Sequence, residues 1–289
     1  MPDHSKREQL FYYQDSDFNV HHTVSENFED PYTKLHLHTL YEVYCFLDGA
    51  GVFTVEGNTY TLESGTILFL RPGEAHSVKI EPSLRYERIA LHFPSSCFKD
   101  NAAMCELLQS FDTHEAGIGN CFFCNDETEY HLKLLREMTN PRWQSRRGVC
   151  RLALETNLPA LLYSLSNNYS RNISVDMLSS DRLVRRIIRF IDENLASEWT
   201  LEQLAERLYR DKATLNRRFK NVVGTSIWDY TIQKRVIHAQ RNLYRLGSIP
   251  EAFKQSGFRD YSTFFRNYTK ITGVTPSEDI RRHKAEQSV

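Results

Sequence analysis

The sequence predicts two domains: an N-terminal all-β barrel followed by helices, then a C-terminal all-α domain in which two helix-turn-helix units are joined by a long helix. Three observations lead there. Short runs rich in β-branched and aromatic residues, punctuated by Gly, Asn, Pro and Asp, fill the stretch from about Val20 to Phe93. After Pro94 the apolar spacing becomes helical. The charge is also lopsided. The net charge of −1 over 289 residues conceals 21 Lys/Arg against 13 Asp/Glu from Ser180 onward, so the last part carries about +8 and the first about −9. An acidic first part joined to a basic last part predicts that only the C-terminal part meets a polyanion.

The strand-like runs are YEVYCFL, GVFTVEG, TYTL, TILFLRPG and YERIALHF. Many short strands at this spacing predict a sandwich or barrel. Helical spacing follows near 101–111, 126–139 and 147–166. In the last of these, Leu152, Leu154, Leu158, Leu161, Leu162 and Leu165 predict an apolar face that Pro159 is placed to kink. The predicted domains are 1–166 and 181–289, separated by a polar linker at 167–180 (NNYSRNISVDMLSS). No run approaches the roughly 18 apolar residues of a membrane helix, and MPDHSKREQL has no secretory apolar stretch. A cytoplasmic protein with no membrane partner is expected. Cys121 and Cys124 form one CxxC pair, but none of the other cysteines (Cys45, Cys97, Cys105 and Cys150) completes a second pair at zinc-ribbon spacing, so incidental thiols are expected.

In the last part, Val184, Ile187, Ile188, Ile191 and Leu195 make a helical stripe. Thr200 and Gln203 fit a capping box, followed by Leu201, Leu204, Ala205 and Leu208 on one face. Asp211 caps a second helix that carries Leu215 and Phe219 and stops near Gly224. The arrangement repeats: a short helix over 249–255, a turn at Gly257, and a helix capped by Asp260 with Phe264 and Tyr268 inward, closed by Gly273 and Pro276. Residues 226–246 read as one long helix with Ile227, Tyr230, Ala239, Leu243 and Leu246 inward. Two short helices across a tight turn form a helix-turn-helix, although a plain helical bundle has the same pattern. The outward residues favour DNA: Lys212, Asn216, Arg217 and Lys220 on one second helix, Ser262 and Arg266 on the other.

Over about 183–282, TLEQLAERLYRDKATLNRRFKNVVGTSIWDYTIQKRVIHAQRNL and IPEAFKQSGFRDYSTFFRNYTKITGVTP resemble the paired units, joining helix and closing Gly-x-Thr-Pro of the AraC/XylS family of transcription regulators. The resemblance implies that the second helix of each unit enters the major groove of double-stranded DNA. By position it implies base reading by Ala213, Asn216, Arg217, Tyr261, Ser262, Thr263 and Arg266, and phosphate contacts by Thr200, Lys212 and Lys220. Phe253 stands where the family usually has Ala, and Asp279 where it usually has Tyr. The first unit is therefore expected to supply most of the specificity, and the second mainly backbone grip and spacing.

In the β part, His36-Leu-His38-Thr-Leu-Tyr41-Glu42, then Gly49, Gly65 and Pro72-Gly-Glu-Ala-His76, resembles the cupin barrel. Metal-binding cupins draw ligands of these types, which implies His36, His38, Glu42 and His76 as a possible transition-metal set. No cofactor is the favoured expectation. A barrel of this size can instead enclose a small polar ligand, with His36, His38, Tyr41, Glu42, Arg71, His76 and Arg88 as contacts, while His92 reads as a core residue of an apolar strand. The expected protein is a homodimeric regulator, not an enzyme. An effector, a sugar or related metabolite, would control it, and it would act with RNA polymerase as an activator. Two alternatives stay open: a metal-dependent cupin enzyme with a DNA-binding tail, and a constitutive DNA-binding protein whose barrel only dimerises.

Overall fold

The computed structural model describes residues 6–26, 35–81, 85–122, 128–170 and 179–286. They divide into two compact units: Met1–Lys34 with Leu40–Ser179, and Leu35–Thr39 with Ser180–Val289. Cys124 and residues 171–178 of the expected linker lie outside the described residues.

The first unit is built from strands β1 (Lys6–Gln14), β2 (Asn19–Glu26), β3 (Tyr41–Asp48), β4 (Gly51–Val55), β5 (Asn58–Leu62), β6 (Ile67–Leu70), β7 (His76–Ile80), β8 (Tyr86–Phe93) and β9 (Cys121–Phe122). One antiparallel sheet has the order β1-β2-β8-β3-β6-β9, and a second places β4 between β5 and β7. Side chains alternate across a strand, so β3 serves two cores. Tyr41, Val43 and Cys45 join Ile89, Leu91 and Phe93 against the helices that follow. Tyr44 and Phe46 turn the other way, to meet Phe53, Val55, Tyr60 and Val78 between the sheets.

Those helices are α1 (Ala102–Asp112), α2 (Thr128–Met138) and α3 (Arg147–Ser170). α3 runs unbroken through Pro159. Leu154, Leu158, Leu161, Leu162 and Leu165 are fully buried along its inner side. Burying each such side chain is worth about 1.5–3 kcal/mol, enough together to hold the helix across the one hydrogen bond a proline removes. Leu152 belongs to the opposite face and is 62% exposed, which corrects its place in the predicted stripe. The helix also extends over 167–170, taking the start of the expected linker.

The second unit comprises α4 (Arg182–Glu193), α5 (Leu201–Leu208), α6 (Lys212–Val223), α7 (Ile227–Leu246), α8 (Ile249–Lys254), α9 (Tyr261–Thr272) and α10 (Pro276–Glu286). Its punctuation is chemical. Asp181, Asp211, Ser226, Ser248 and Asp260 each cap the next helix through a side-chain oxygen, and Thr200 forms the full capping box with Gln203. Gly224, Gly247 and Gly273 end helices in the left-handed conformation. Tyr209 does the same for α5, with φ +53° and no glycine to ease it. Ile227 and Tyr230 at the start of α7 are buried, and the Tyr230 ring meets Phe219 of α6 edge-on at 5.2 Å. Farther along, Val236, Ala239 and Leu243 pack with Ala252 of α8 and Phe264 and Tyr268 of α9. Leu246, expected inward, is partly exposed.

Two contacts lock the second helix-turn-helix in place. Gly257 has φ +75°, and a Cβ there would lie 2.1 Å from the Leu195 carbonyl oxygen and 2.9 Å from Arg235 Nε, so only glycine fits. Arg235, buried on α7, donates to the Leu195 and Ser197 carbonyls at 3.1 and 2.7 Å. The other contact is Asp279, whose buried carboxylate accepts from Tyr268 Oη at 2.5 Å, Tyr244 Oη at 2.7 Å and Gln240 Nε2 at 2.7 Å. The departure at Asp279 is thus a hub that ties α7, α9 and α10 together. Phe253 is absorbed likewise: its ring lies 5.5 Å from both Tyr261 and Phe264. Replacing Asp279 by Ala removes the acceptor shared by three donors, of which the Tyr268 hydroxyl is fully buried; a buried donor left without a partner costs about 1–3 kcal/mol. Thermal unfolding of Asp279→Ala should show a marked fall in melting temperature; an unchanged melting temperature would show that the hub is not structural.

Candidate nucleic-acid interface and barrel site

The two helix-turn-helix units are internal copies. In each, an aspartate caps the second helix by accepting from the backbone N–H three residues on: Asp211 from Thr214 and Asp260 from Thr263, both at 2.8 Å. These bonds hold both carboxyls below the usual carboxylate range. Leu215, Phe219 and Val223 face inward on α6, as Phe264 and Tyr268 do on α9. On α6 this leaves Lys212, Ala213, Arg217 and Lys220 exposed, and on α9 Tyr261, Ser262 and Arg266, with Thr263 half-buried. Each set shares one helix and one outward side, so the helices carry the candidate base readers together.

Three residues are more committed than their sequence positions imply. Asn216 is half-buried, and its Oδ1 accepts from the Ile227 backbone N–H at 3.2 Å. A bidentate adenine contact needs both the carbonyl and the amide of Asn, so Asn216 acts first as a brace for the start of α7. This corrects its assignment as a primary base reader. Thr200 uses its hydroxyl oxygen to accept from Gln203 N–H at 3.3 Å. Lys212 is paired with Glu202 of α5, but both are exposed and such pairs are worth about 0–1 kcal/mol, so a phosphate can displace the glutamate.

The barrel site follows from strand register. Glu42 sits opposite His92, and Phe46 opposite Arg88, on β3 and β8; His21 on β2 sits opposite Ala90. Glu42, Tyr44, Tyr86, Arg88, His92 and His21 therefore share the sheet face turned toward the second sheet, which contributes His76. Glu42 Oε2 lies 3.3 Å from both His76 Nε2 and His92 Nε2. Arg88 donates to Tyr86 Oη at 2.9 Å, and the Tyr44 and Tyr86 hydroxyls are 2.7 Å apart. Burial by itself would lower the His92 pKa, but the Glu42 carboxylate outweighs it and raises the imidazole above its ordinary 6.5. His21 goes the other way: burial, then the His92, Arg7 and Arg88 charges, push it down to about 4.

Of the sequence-predicted barrel residues, Glu42, His76 and Arg88 come together here. Tyr41 and Arg71 do not. Tyr41 lies on the opposite face of β3, stacked with Phe69 and Phe93 at 5.6 and 5.4 Å, and donates to Asp112 Oδ2 at 2.7 Å. Arg71 is buried, paired with Glu74, and donates to the carbonyls of Phe111, His114 and Glu115 at 3.0, 2.7 and 3.0 Å. Both are structural anchors for the end of α1 and the loop after it, which corrects their assignment as effector contacts. His36 and His38 have rings 6.4 Å apart. Conversely, His21, His92, Tyr44 and Tyr86 were missed. Parity was the available signal: with Arg88 assigned to the site, Tyr86 and His92 share its face.

Two family models match this chain: that of an AraC-like ligand binding domain over residues 21–162, and that of a helix-turn-helix domain over 204–282. The chain belongs to the AraC family. AraC-family members are transcription regulators, and this one has both the family's ligand-binding domain and its helix-turn-helix DNA-binding domain. It is similar to the thermoregulatory protein LcrF of Yersinia pestis, 23% identical over 260 residues that cover 86% of this chain and 92% of LcrF. It is also similar to the lactose operon transcription activator of Staphylococcus xylosus, 23% identical over 250 residues covering 81% of each. Among solved structures, ToxT from Vibrio cholerae O395 aligns over 92% of this chain and 98% of its own at 14% identity, with a TM-score of 0.37.

The two histidines give the AraC-family barrel opposite pH dependences. For His21 the unfolded chain, at the ordinary 6.5, takes up its proton before the folded one at about 4, so stability is lost as pH falls through that window. His92, with its raised folded pKa, contributes stability below 6.5 that is lost as pH rises through the folded value. Melting temperature measured from neutral to pH 4 should fall less steeply in His21→Gln than in the unsubstituted protein. Parallel curves would remove His21 as a source of acid lability.

Proposed function

We propose that the protein is a transcription activator controlled by a small hydroxyl-rich effector, a sugar or related metabolite, held at the polar end of the barrel interior. The observation that carries this reading is the convergence of Glu42, His76, His92, Arg88 and the Tyr44–Tyr86 pair on the inner face of a barrel that precedes two helix-turn-helix units. A carboxylate accepts from sugar hydroxyls, and guanidinium, imidazole and phenol groups donate to them. The Phe53 ring, stacked on His76 at 5.9 Å, supplies an apolar wall. The lactose operon activator among the relatives supports a carbohydrate ligand, and its name supports activation over repression.

In this reading α6 and α9 enter successive major grooves, and a homodimer presents the bound protein to RNA polymerase. The effector acts by binding one arrangement of the molecule more tightly than the other, since a ligand shifts an equilibrium only by its differential affinity. A thermal-shift screen of sugars and related metabolites tests it directly. A stabilising compound whose effect disappears in Glu42→Gln and Arg88→Ala supports the site; no response to any compound favours a barrel that serves assembly alone. The placement of Glu42 beside two imidazoles also favours a bound transition metal as a second reading. Stoichiometric metal in the purified protein, lost in Glu42→Ala, would replace the effector reading.

For DNA, Arg217→Ala should relax base preference at one position of the site by about tenfold, within the range of a bidentate contact. A uniform loss across sequences would make Arg217 a phosphate contact. Lys220→Ala should weaken binding on all sequences and reduce the slope of log affinity against log salt by about 0.9. An unchanged slope would remove Lys220 from the phosphate set.

A further inference from the structure

The internal repeat exposes a residue that neither charge nor hydrogen-bonding pattern singles out. Counting from the capping aspartates, Phe265 of α9 occupies the place that Asn216 occupies on α6: each is five residues after its cap. The two copies use that place differently. Asn216 turns back to cap α7 through its carbonyl oxygen. Phe265 lies outward, 37% exposed, with the Tyr261 ring one helical turn earlier at 6.2 Å and itself 46% exposed. Tyr261 and Phe265 thus form an apolar row on α9. Beside it runs a polar row, Ser262 and Arg266, also four residues apart and both exposed. A pair of large rings on the outward side of a recognition helix is unfavourable in water and complements an apolar surface. In the major groove the apolar feature that distinguishes base pairs is the C5-methyl group of thymine, which Phe contacts directly.

We propose that Phe265, flanked by Tyr261, is a specificity-determining residue that reads a thymine methyl in the half-site of the second helix-turn-helix unit, while Arg266 and Ser262 take a guanine edge or phosphate beside it. This rests on the reading of α9 as a major-groove helix. It also makes the second unit a base reader in its own right, not only a backbone grip.

The test uses the full-length protein and duplexes it selects from a random library. Each thymine of a selected duplex is replaced in turn by deoxyuridine, which deletes only the methyl group and keeps base pairing. The expected result is one or two positions in one half-site where the replacement weakens binding by about fourfold or more, the worth of one buried methyl. At those positions Phe265→Ser should bind the thymine and uracil duplexes alike, and Phe265→Leu should retain part of the preference. Phe265 is a surface residue, and matching melting temperatures of the variants show that folding is intact. Indifference of the unsubstituted protein to uracil at every position, or an undiminished thymine preference in Phe265→Ser, overturns the inference while leaving DNA binding in place. Failure to enrich any duplex overturns the DNA reading itself, and this inference with it.

Discussion

The spacing of the two DNA readers depends on α7. It is one uninterrupted helix of 20 residues, fixed at one end by Ser226 and at the other by Gly247, and such a helix is about 30 Å long. Its first turns are buried with the core beneath α6, and its later turns with the core beneath α9. The recognition helices cannot shift along it without repacking one of those cores. Asn216 and Asp279 work to the same end. The first ties α6 to the start of α7, and the second ties α9 and α10 to its later turns. Arg235 and Gly257 add a contact between the loop after α4 and the second turn, where no side chain fits. Rigidity of this kind fixes the separation of α6 and α9.

The barrel solves a different problem with strand alternation. The odd-numbered residues Tyr41 to Cys45 of β3 close a core against α1–α3, and the even-numbered ones, Glu42 to Phe46, face the opposite sheet. A single strand therefore supplies both the anchor for the helices and the carboxylate of the polar cluster. The histidines around Glu42 are held in unlike states, His92 favouring its proton and His21 resisting it.

Much of this was legible in the sequence because it is local. Thr200 with Gln203, Asp211, Asp260, Gly224 and Gly273 mark helix ends through bonds that span a few residues. The errors are non-local. Arg71 resembles a binding residue until its carbonyl partners near His114, more than 40 residues away, come into view. Tyr41 depends on Asp112 and Asn216 on Ile227 in the same way. Periodicity located the stripes on α3 and α7 but not their edges, which is why Leu152 and Leu246 face outward. The departures at Phe253 and Asp279 looked like defects because their compensating partners, the Phe264 ring and the Tyr244 and Tyr268 hydroxyls, are supplied by other elements or later turns.

If α7 presents two recognition helices to successive major grooves on one face of the duplex, hydroxyl-radical footprinting of the full-length protein on a selected duplex will show it most directly. Two protected segments on the same face, with centres about 10–10.5 base pairs apart, are the predicted result. A single protected segment, or two on opposite faces, would contradict it.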